Sequence, residues 1–135
     1  MKRTTAVFGV IVFVLAASGT IFAHHGTSIS YDGSKEVTLT GTVTDFEWSN
    51  PHAQLYFNVR DASGKTVGWA AELNSPGVLS REGWKRTMFK PGDVVTITLN
   101  PSKAGTPVGN TVRSKPILIG GKEVVAARPG RTTVD

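Results

Sequence analysis

A strict two-residue alternation of apolar residues and threonines runs through 37–44 of this 135-residue chain. An extended strand places alternate side chains on opposite faces, so the pattern predicts a β-strand with one buried and one exposed face. The next large apolar residues, Phe46 and Trp48, are out of phase, which predicts a one-residue bulge near Thr44 and Asp45. Such a strand needs partner strands to cover its apolar face.

Further alternating segments, separated by turn residues, predict strands at about 53–60, 67–73, 95–99, 111–119 and 122–127. Ser75 followed by Pro76 is typical of a helix start and Gly83 of a helix end, which predicts one short helix between the third and fourth strands. The order predicts a mainly β fold: a small OB-like antiparallel β-barrel of five or six strands with one short helix. A small β-sandwich is the alternative.

The N-terminal residues follow the order of parts in a secretory signal peptide. Lys2 and Arg3 precede an apolar stretch, 6–17, that is short for a membrane-spanning helix, and the small residue Ala23 ends the segment. We therefore predict a periplasmic or secreted protein. Its predicted parts are a signal peptide over 1–23, a single β-barrel domain over 24–128 and a flexible tail over 129–135.

Two alternatives to cleavage after Ala23 stay open. Cleavage after Ser18 would start the mature chain at Gly19, and an uncleaved segment would be the protein's contact with the membrane. Cleavage after Ala23 removes two of the 15 basic residues and none of the 10 acidic ones, so the net side-chain charge falls from +5 to +3. Because this charge is scattered, we predict no nucleic-acid partner; a metal ion or an envelope component is expected instead.

Several motifs occur together along the predicted mature chain. They are His24-His25-Gly26, Tyr31-Asp32, Trp48-Ser49-Asn50-Pro51-His52, Gly83-Trp84 and Lys90-Pro91-Gly92-Asp93. In combination they resemble an uncharacterised family of small exported bacterial proteins, domain of unknown function 6152. The resemblance covers His24 to about Leu118. It implies export, a compact β-fold and a double histidine at the mature N-terminus, but no activity.

The chain has no cysteine and three histidines, so any metal site must use imidazole or oxygen ligands. If His24 is the first residue, its α-amine and ring Nδ1 can chelate one metal, and a second imidazole completes a three-nitrogen set that suits Cu(II). We assign the second imidazole to His52, with His25 as an auxiliary ligand. The groups expected to support these ligands are Asp45, Glu47, Asn50 and Glu72. A solvated tail and a rim histidine are the alternative interpretation.

A metal-free alternative uses aromatic residues. Trp48, Tyr56 and Trp69 would form a barrel face that binds a small ligand or a protein of the envelope, although packing in or around the core is the competing role for the tryptophans. Neither a Gly-x-Ser-x-Gly nor a phosphate-loop motif is present. The sequence therefore predicts an exported, non-enzymatic protein that binds copper or another divalent metal, with no other cofactor.

Overall fold

The computed structural model describes residues 30–128. The predicted signal peptide, the histidines at 24 and 25 and the predicted tail over 129–135 lie outside the described residues. Within 30–128 there are seven strands and one helix. They are β1 Val37–Glu47, β2 Gln54–Arg60, β3 Thr66–Glu72, α1 Pro76–Arg81, β4 Val94–Pro101, β5 Val108–Thr111, β6 Ile117–Ile119 and β7 Lys122–Val125.

Five of these strands close into a barrel. The strand order is β1-β2-β3-β5-β4, and β4 pairs back with β1 to complete the ring. Helix α1 lies in the connection between β3 and β4. This is the strand order of an OB-like barrel, so the predicted fold is confirmed.

The bend in β1 makes this closure possible. The first half of β1 pairs with β4, from Val37 opposite Leu99 to Thr42 opposite Val94, and the second half pairs with β2. The register shifts between Val43 and Asp45, where the sequence predicted a bulge. Because a bulge bends and twists its strand, one strand can serve two neighbours that lie at an angle to each other.

Two features of the sheet differ from the expected set of antiparallel strands. β3 and β5 run parallel, with Glu72 opposite Asn110, which the long connection through α1 and β4 allows. The segment expected as one strand over 111–119 contains only the last residue of β5, Thr111, and the whole of β6; the rest of β5, 108–110, lies between the predicted strands, where none was expected. A turn closed by Lys115 N–H donating to Val112 O separates β5 from β6, and Pro116 follows it without an N–H for a ladder.

The outer hairpin of β6 and β7 is joined to β4, with Val95 opposite Ile119. The two strands of the hairpin meet around Gly120 and Gly121, as predicted, and both glycines have positive φ. This conformation is free of strain for glycine. The hairpin therefore extends the sheet beyond the closed ring.

The buried core lies inside the barrel, as the alternation of each strand requires. Its largest fully buried members include Val43, Leu55, Phe57, Val95, Ile97 and Leu99. Gly41 faces Phe57 and β2 so closely that a Cβ there would lie 2.5 Å from the carbonyl oxygen of Asn58. Within 30–128, no helix has the length and apolar character needed to cross a membrane.

Helix α1 begins and ends where the sequence predicted. Ser75 precedes it with an extended backbone, Pro76 occupies its first turn, and Leu79 is buried in the core. Gly83 follows with a φ of 87°, and the N–H of Trp84 donates to the carbonyl of Leu79. The short helix thereby places Glu82 at its C-terminal end.

Candidate metal-binding site

His52 lies just before β2, after Pro51, whose peptide bond with Asn50 is cis. Ala53 and Leu55 are fully buried, so the alternation of the segment puts His52 on the outward side. The neighbouring strand β3 carries Glu72 on the same side, opposite Gln54. Pairing of β2 with β3 therefore brings Glu72 beside the imidazole.

The Nδ1 atom of His52 has two acceptors. It lies 3.1 Å from the carbonyl oxygen of Leu73 and 3.2 Å from Oε1 of Glu72. Because both neighbours accept hydrogen bonds, the ring proton of the neutral imidazole belongs on Nδ1 and the lone pair on Nε2. A metal-binding histidine in proteins is oriented in this way by a carboxylate or a backbone carbonyl.

The other oxygen of the same carboxylate is also occupied. The hydroxyl of Tyr31 donates to Oε2 of Glu72 at 2.7 Å. Burial, followed by the hydrogen bond to Glu72 and the charge of its carboxylate, raises the pKa of Tyr31 well above its ordinary value. The hydroxyl of Thr111 donates to the main-chain carbonyl of Glu72 at 3.0 Å, which fixes the backbone of this residue. Glu72 thus joins Tyr31 to His52.

Tyr31 is held in place by its neighbours on the main chain. The N–H of Asp32 donates to Pro101 O at 2.9 Å, and the N–H of Lys103 donates to Ser30 O at 3.0 Å. Tyr31 itself forms an isolated antiparallel bridge with Ser102. Residues 30–32 are therefore docked on the end of β4, beside the side chain of Glu72.

Tyr31 was not among the candidate residues that the sequence indicated. Its contact with Glu72 joins residues 41 positions apart, and no local spacing reports such a contact. Glu72 was a candidate, and it contacts His52. Asn50 is exposed and lies two residues before His52.

The carboxylates of Asp45 and Glu47 belong to a different cluster. They share the outward face of β1, as the sequence predicted, and lie opposite Tyr56 and Gln54 in the pairing with β2. The hydroxyl of Tyr56 donates to Oε2 of Glu47 at 3.3 Å. Burial, followed by the charge and hydrogen bond of Glu47 and then the charge of Asp45, raises the pKa of Tyr56. These two carboxylates therefore act on the hydroxyl of Tyr56.

The aromatic residues of the metal-free alternative do not share one face. Trp69 lies opposite the buried Phe57 and packs against the core, whereas the side chain of Tyr56 is on the outward face. Trp48 meets the ring of Phe46 edge-on, with ring centroids 5.6 Å apart, and also packs against the core. The tryptophans therefore contribute to packing in and around the core.

A complete metal site needs ligands beyond those described. Within 30–128, no group of three or more His, Asp or Glu side chains is positioned to hold a metal ion. His52 offers one ring nitrogen, and His24 and His25 lie outside the described residues. The six residues that precede Ser30, from His24 on, can span about 20 Å when extended. Ser30 adjoins Tyr31, which contacts Glu72 beside His52, so the proposed reach of His24 starts from a residue close to the imidazole.

A third carboxylate cluster lies at the end of α1. Arg113 Nη2 donates to Oε1 of Glu82, Arg128 Nη1 lies 3.5 Å from the same oxygen, and Arg128 Nη2 donates to the Glu82 carbonyl at 3.1 Å. The Glu82 side chain is 9% exposed. The N–H of Arg128 also donates to Arg113 O at 2.8 Å. This cluster ties the last described residues to the barrel.

Comparison with known proteins identifies a family and a similar solved structure. No curated protein matches the chain. Among solved structures, the mitochondrial single-stranded DNA binding protein Rim1 of S. cerevisiae is similar, with 11% sequence identity and a TM-score of 0.45, over 65% of this chain and 95% of that chain. The family described as "Family of unknown function (DUF6152)" matches residues 11–113, more than half of the sequence. The chain therefore belongs to the DUF6152 family, as the combination of motifs predicted.

Proposed function

We propose that this protein is an exported, non-enzymatic protein that binds Cu(II), or a similar divalent metal, between its mature N-terminus and His52. His24 supplies its α-amine and ring Nδ1, His52 supplies Nε2, and His25 is an auxiliary ligand. One observation carries the proposal: the carbonyl of Leu73 hydrogen-bonds Nδ1 of His52, and the carboxylate of Glu72 lies 3.2 Å from the same nitrogen, which assigns Nε2 as the metal-binding atom.

The chemistry of the ligand set supports copper. An amine and two imidazoles provide three nitrogens, and Cu(II) prefers nitrogen ligands in tetragonal geometry more strongly than the other divalent first-row metals do. The side chain of His52 is 23% exposed, so a metal at Nε2 stays accessible for exchange. An accessible site at a chain terminus fits carriage or buffering of metal outside the cytoplasm.

The metal-free alternative, a small-ligand or protein-interaction module of the envelope, has less support from the geometry. It needs Trp48, Tyr56 and Trp69 on one surface, and Tyr56 and Trp69 lie on opposite faces of the sheet. It is therefore kept as an outcome of the following experiment.

The test uses untagged protein purified from the exported fraction. We expect an intact mass that begins at His24 and one Cu(II) per chain in a titration against a competing chelator. His24→Ala and His52→Ala should each weaken binding by more than about tenfold, because even groups that only orient a ligand contribute that much. Asn58→Ala, on the exposed outward face of β2, is the matched control and should bind as the wild type does.

Two results would overturn the proposal. The first is equal copper affinity in the wild type and in His52→Ala. The second is a mature chain that begins at Gly19, because the amine of His24 would then be part of a peptide bond. Either result would favour the metal-free module.

A further inference from the structure

The carboxylate of Glu72 has a polar neighbour at each oxygen. Oε1 is 3.2 Å from Nδ1 of His52, and Oε2 accepts from the hydroxyl of Tyr31 at 2.7 Å. The terminal torsion of a glutamate is broad and nearly two-fold, so its own rotamer preference does not fix where the oxygens point. The hydroxyl of Tyr31 supplies that constraint.

We propose that Tyr31 is a positioning residue of the metal site, which acts through Glu72 to orient His52 and to hold residues 30–32 beside it. This inference rests on the proposed function. Tyr31 touches no proposed ligand atom, so its effect on the metal must pass through the carboxylate.

The main chain supports the second half of this role. Residues 30–32 are fixed to the end of β4 by the N–H of Asp32 on Pro101 and by the N–H of Lys103 on Ser30. The segment with His24 therefore starts from an anchored point beside Glu72.

Tyr31→Phe tests the contribution of the hydroxyl alone, because it removes the hydrogen-bond donor and keeps the packing of the aromatic ring. The matched control is Tyr56→Phe, since the hydroxyl of Tyr56 also donates to a glutamate, Glu47, at 3.3 Å. We expect Tyr31→Phe to weaken Cu(II) binding by about tenfold, at the lower end of the range for groups that orient a ligand. Tyr56→Phe should stay within about twofold of the wild type, because its partner Glu47 belongs to the separate cluster on β1.

A second readout needs no metal. The ring ¹⁵N shifts of His52 report which nitrogen carries the proton, and the wild type should show the Nδ1–H form. Tyr31→Phe should shift this signal toward a mixture of the two tautomers, whereas Tyr56→Phe should leave it unchanged. A role confined to stability would change the free energy of unfolding in urea without moving either the tautomer or the copper affinity of the folded protein.

The outcomes distinguish the two proposals. Wild-type copper affinity and an unchanged tautomer signal in Tyr31→Phe, together with weakened binding in His52→Ala, would overturn the role of Tyr31 and leave the metal site standing. Unchanged affinity in His52→Ala would overturn both. If Tyr31 acts through His52, Tyr31→Phe should cause no further loss in the His52→Ala background, and an additive loss would contradict the inference.

Discussion

Two glutamates, one at each end of the segment that contains α1, contact two polar side chains each, and the partners differ. Glu72 ends β3 and contacts Tyr31 and His52, whereas Glu82 follows α1 and contacts Arg113 and Arg128. Both carboxylates are largely sheltered, with side chains 20% and 9% exposed. The burial of the carboxylates therefore does not by itself distinguish the two clusters.

The partners decide what each cluster can do. A guanidinium has donors only, so a carboxylate between two arginines forms a closed ionic unit with no acceptor atom directed outward from the arginines. An imidazole has two nitrogens, and a carboxylate that engages one of them leaves the other available. The comparison indicates that the Glu82 cluster holds the fold together, whereas the Glu72 cluster contains the ring nitrogen on which the proposed metal site depends.

The largest expected effect tests the structural side of this comparison. Glu82→Gln removes the charge that compensates Arg113, whose side chain is only 16% exposed. Breaking a buried ion pair from one side costs about 3 kcal/mol, so the free energy of unfolding in urea should fall by that amount. Copper affinity of the folded protein should not change.

Arg128→Ala is the control for this variant. The side chain of Arg128 is 42% exposed, and exposed ion pairs contribute about 0–1 kcal/mol, so its loss should be much smaller. Equal losses in Arg128→Ala and Glu82→Gln would contradict the assignment of Arg113 as the principal partner.

The next effect tests the binding side. Glu72→Ala removes the acceptor that orients His52, and we expect Cu(II) affinity to fall by about 10- to 100-fold. The free energy of unfolding should fall by only about 1 kcal/mol for each hydrogen bond lost, because both partners keep access to water. A copper titration and a urea denaturation curve on the same preparation measure both quantities. If Glu82→Gln weakened copper binding as much as Glu72→Ala does, the assignment of separate roles to the two clusters would be wrong.

The smallest expected effect concerns the two tyrosines of the chain, Tyr31 and Tyr56. Burial and Glu72 raise the pKa of Tyr31 by more than burial and the acidic pair on β1 raise that of Tyr56. Tyrosinate absorbance in Tyr56→Phe, which reports Tyr31, should therefore appear at higher pH than in Tyr31→Phe. If Tyr31 instead lost its proton at the lower pH, the more buried of the two hydroxyls would be that of Tyr56 on β2.

The same shift fixes the sign of a stability change. Above the ordinary tyrosine pKa of about 10, the unfolded chain loses the phenolic proton while folded Tyr31 retains it. The contribution of Tyr31 to stability is therefore complete below this pH and is lost as the pH rises through the folded value. Tyr31→Phe should flatten that part of the stability profile, which urea denaturation at several alkaline pH values measures.

Local sequence patterns were sufficient for most of the barrel. Alternation located the strands, the change of phase located the bulge after Val43, and Ser75 with Pro76 located the start of α1. The parallel pairing of β3 with β5 was not predictable in this way, because the residues of β5 that make it, 108–110, lie between the predicted strands over 95–99 and 111–119.

The site was predictable only in part, and for a related reason. His52 was found because the chain has three histidines, and Glu72 because its face could be assigned from the alternation of β3. Asp45 and Glu47 are close to His52 in sequence, but the pairing of β1 with β2 turns them toward Tyr56. Tyr31 reaches Glu72 across the barrel surface, a contact that depends on the complete fold.

The pairing of β1 with β4 has a consequence for the order of folding. It joins residues about 60 positions apart, such as Thr38 and Thr98, and non-local pairs of this kind form slowly because a long loop must close first. Residues 30–32 dock on the end of β4, so their docking surface exists only once β4 is in place. A partly folded chain therefore lacks the surface on which residues 30–32 dock, and the contact of Tyr31 with Glu72 forms only after the ring has closed.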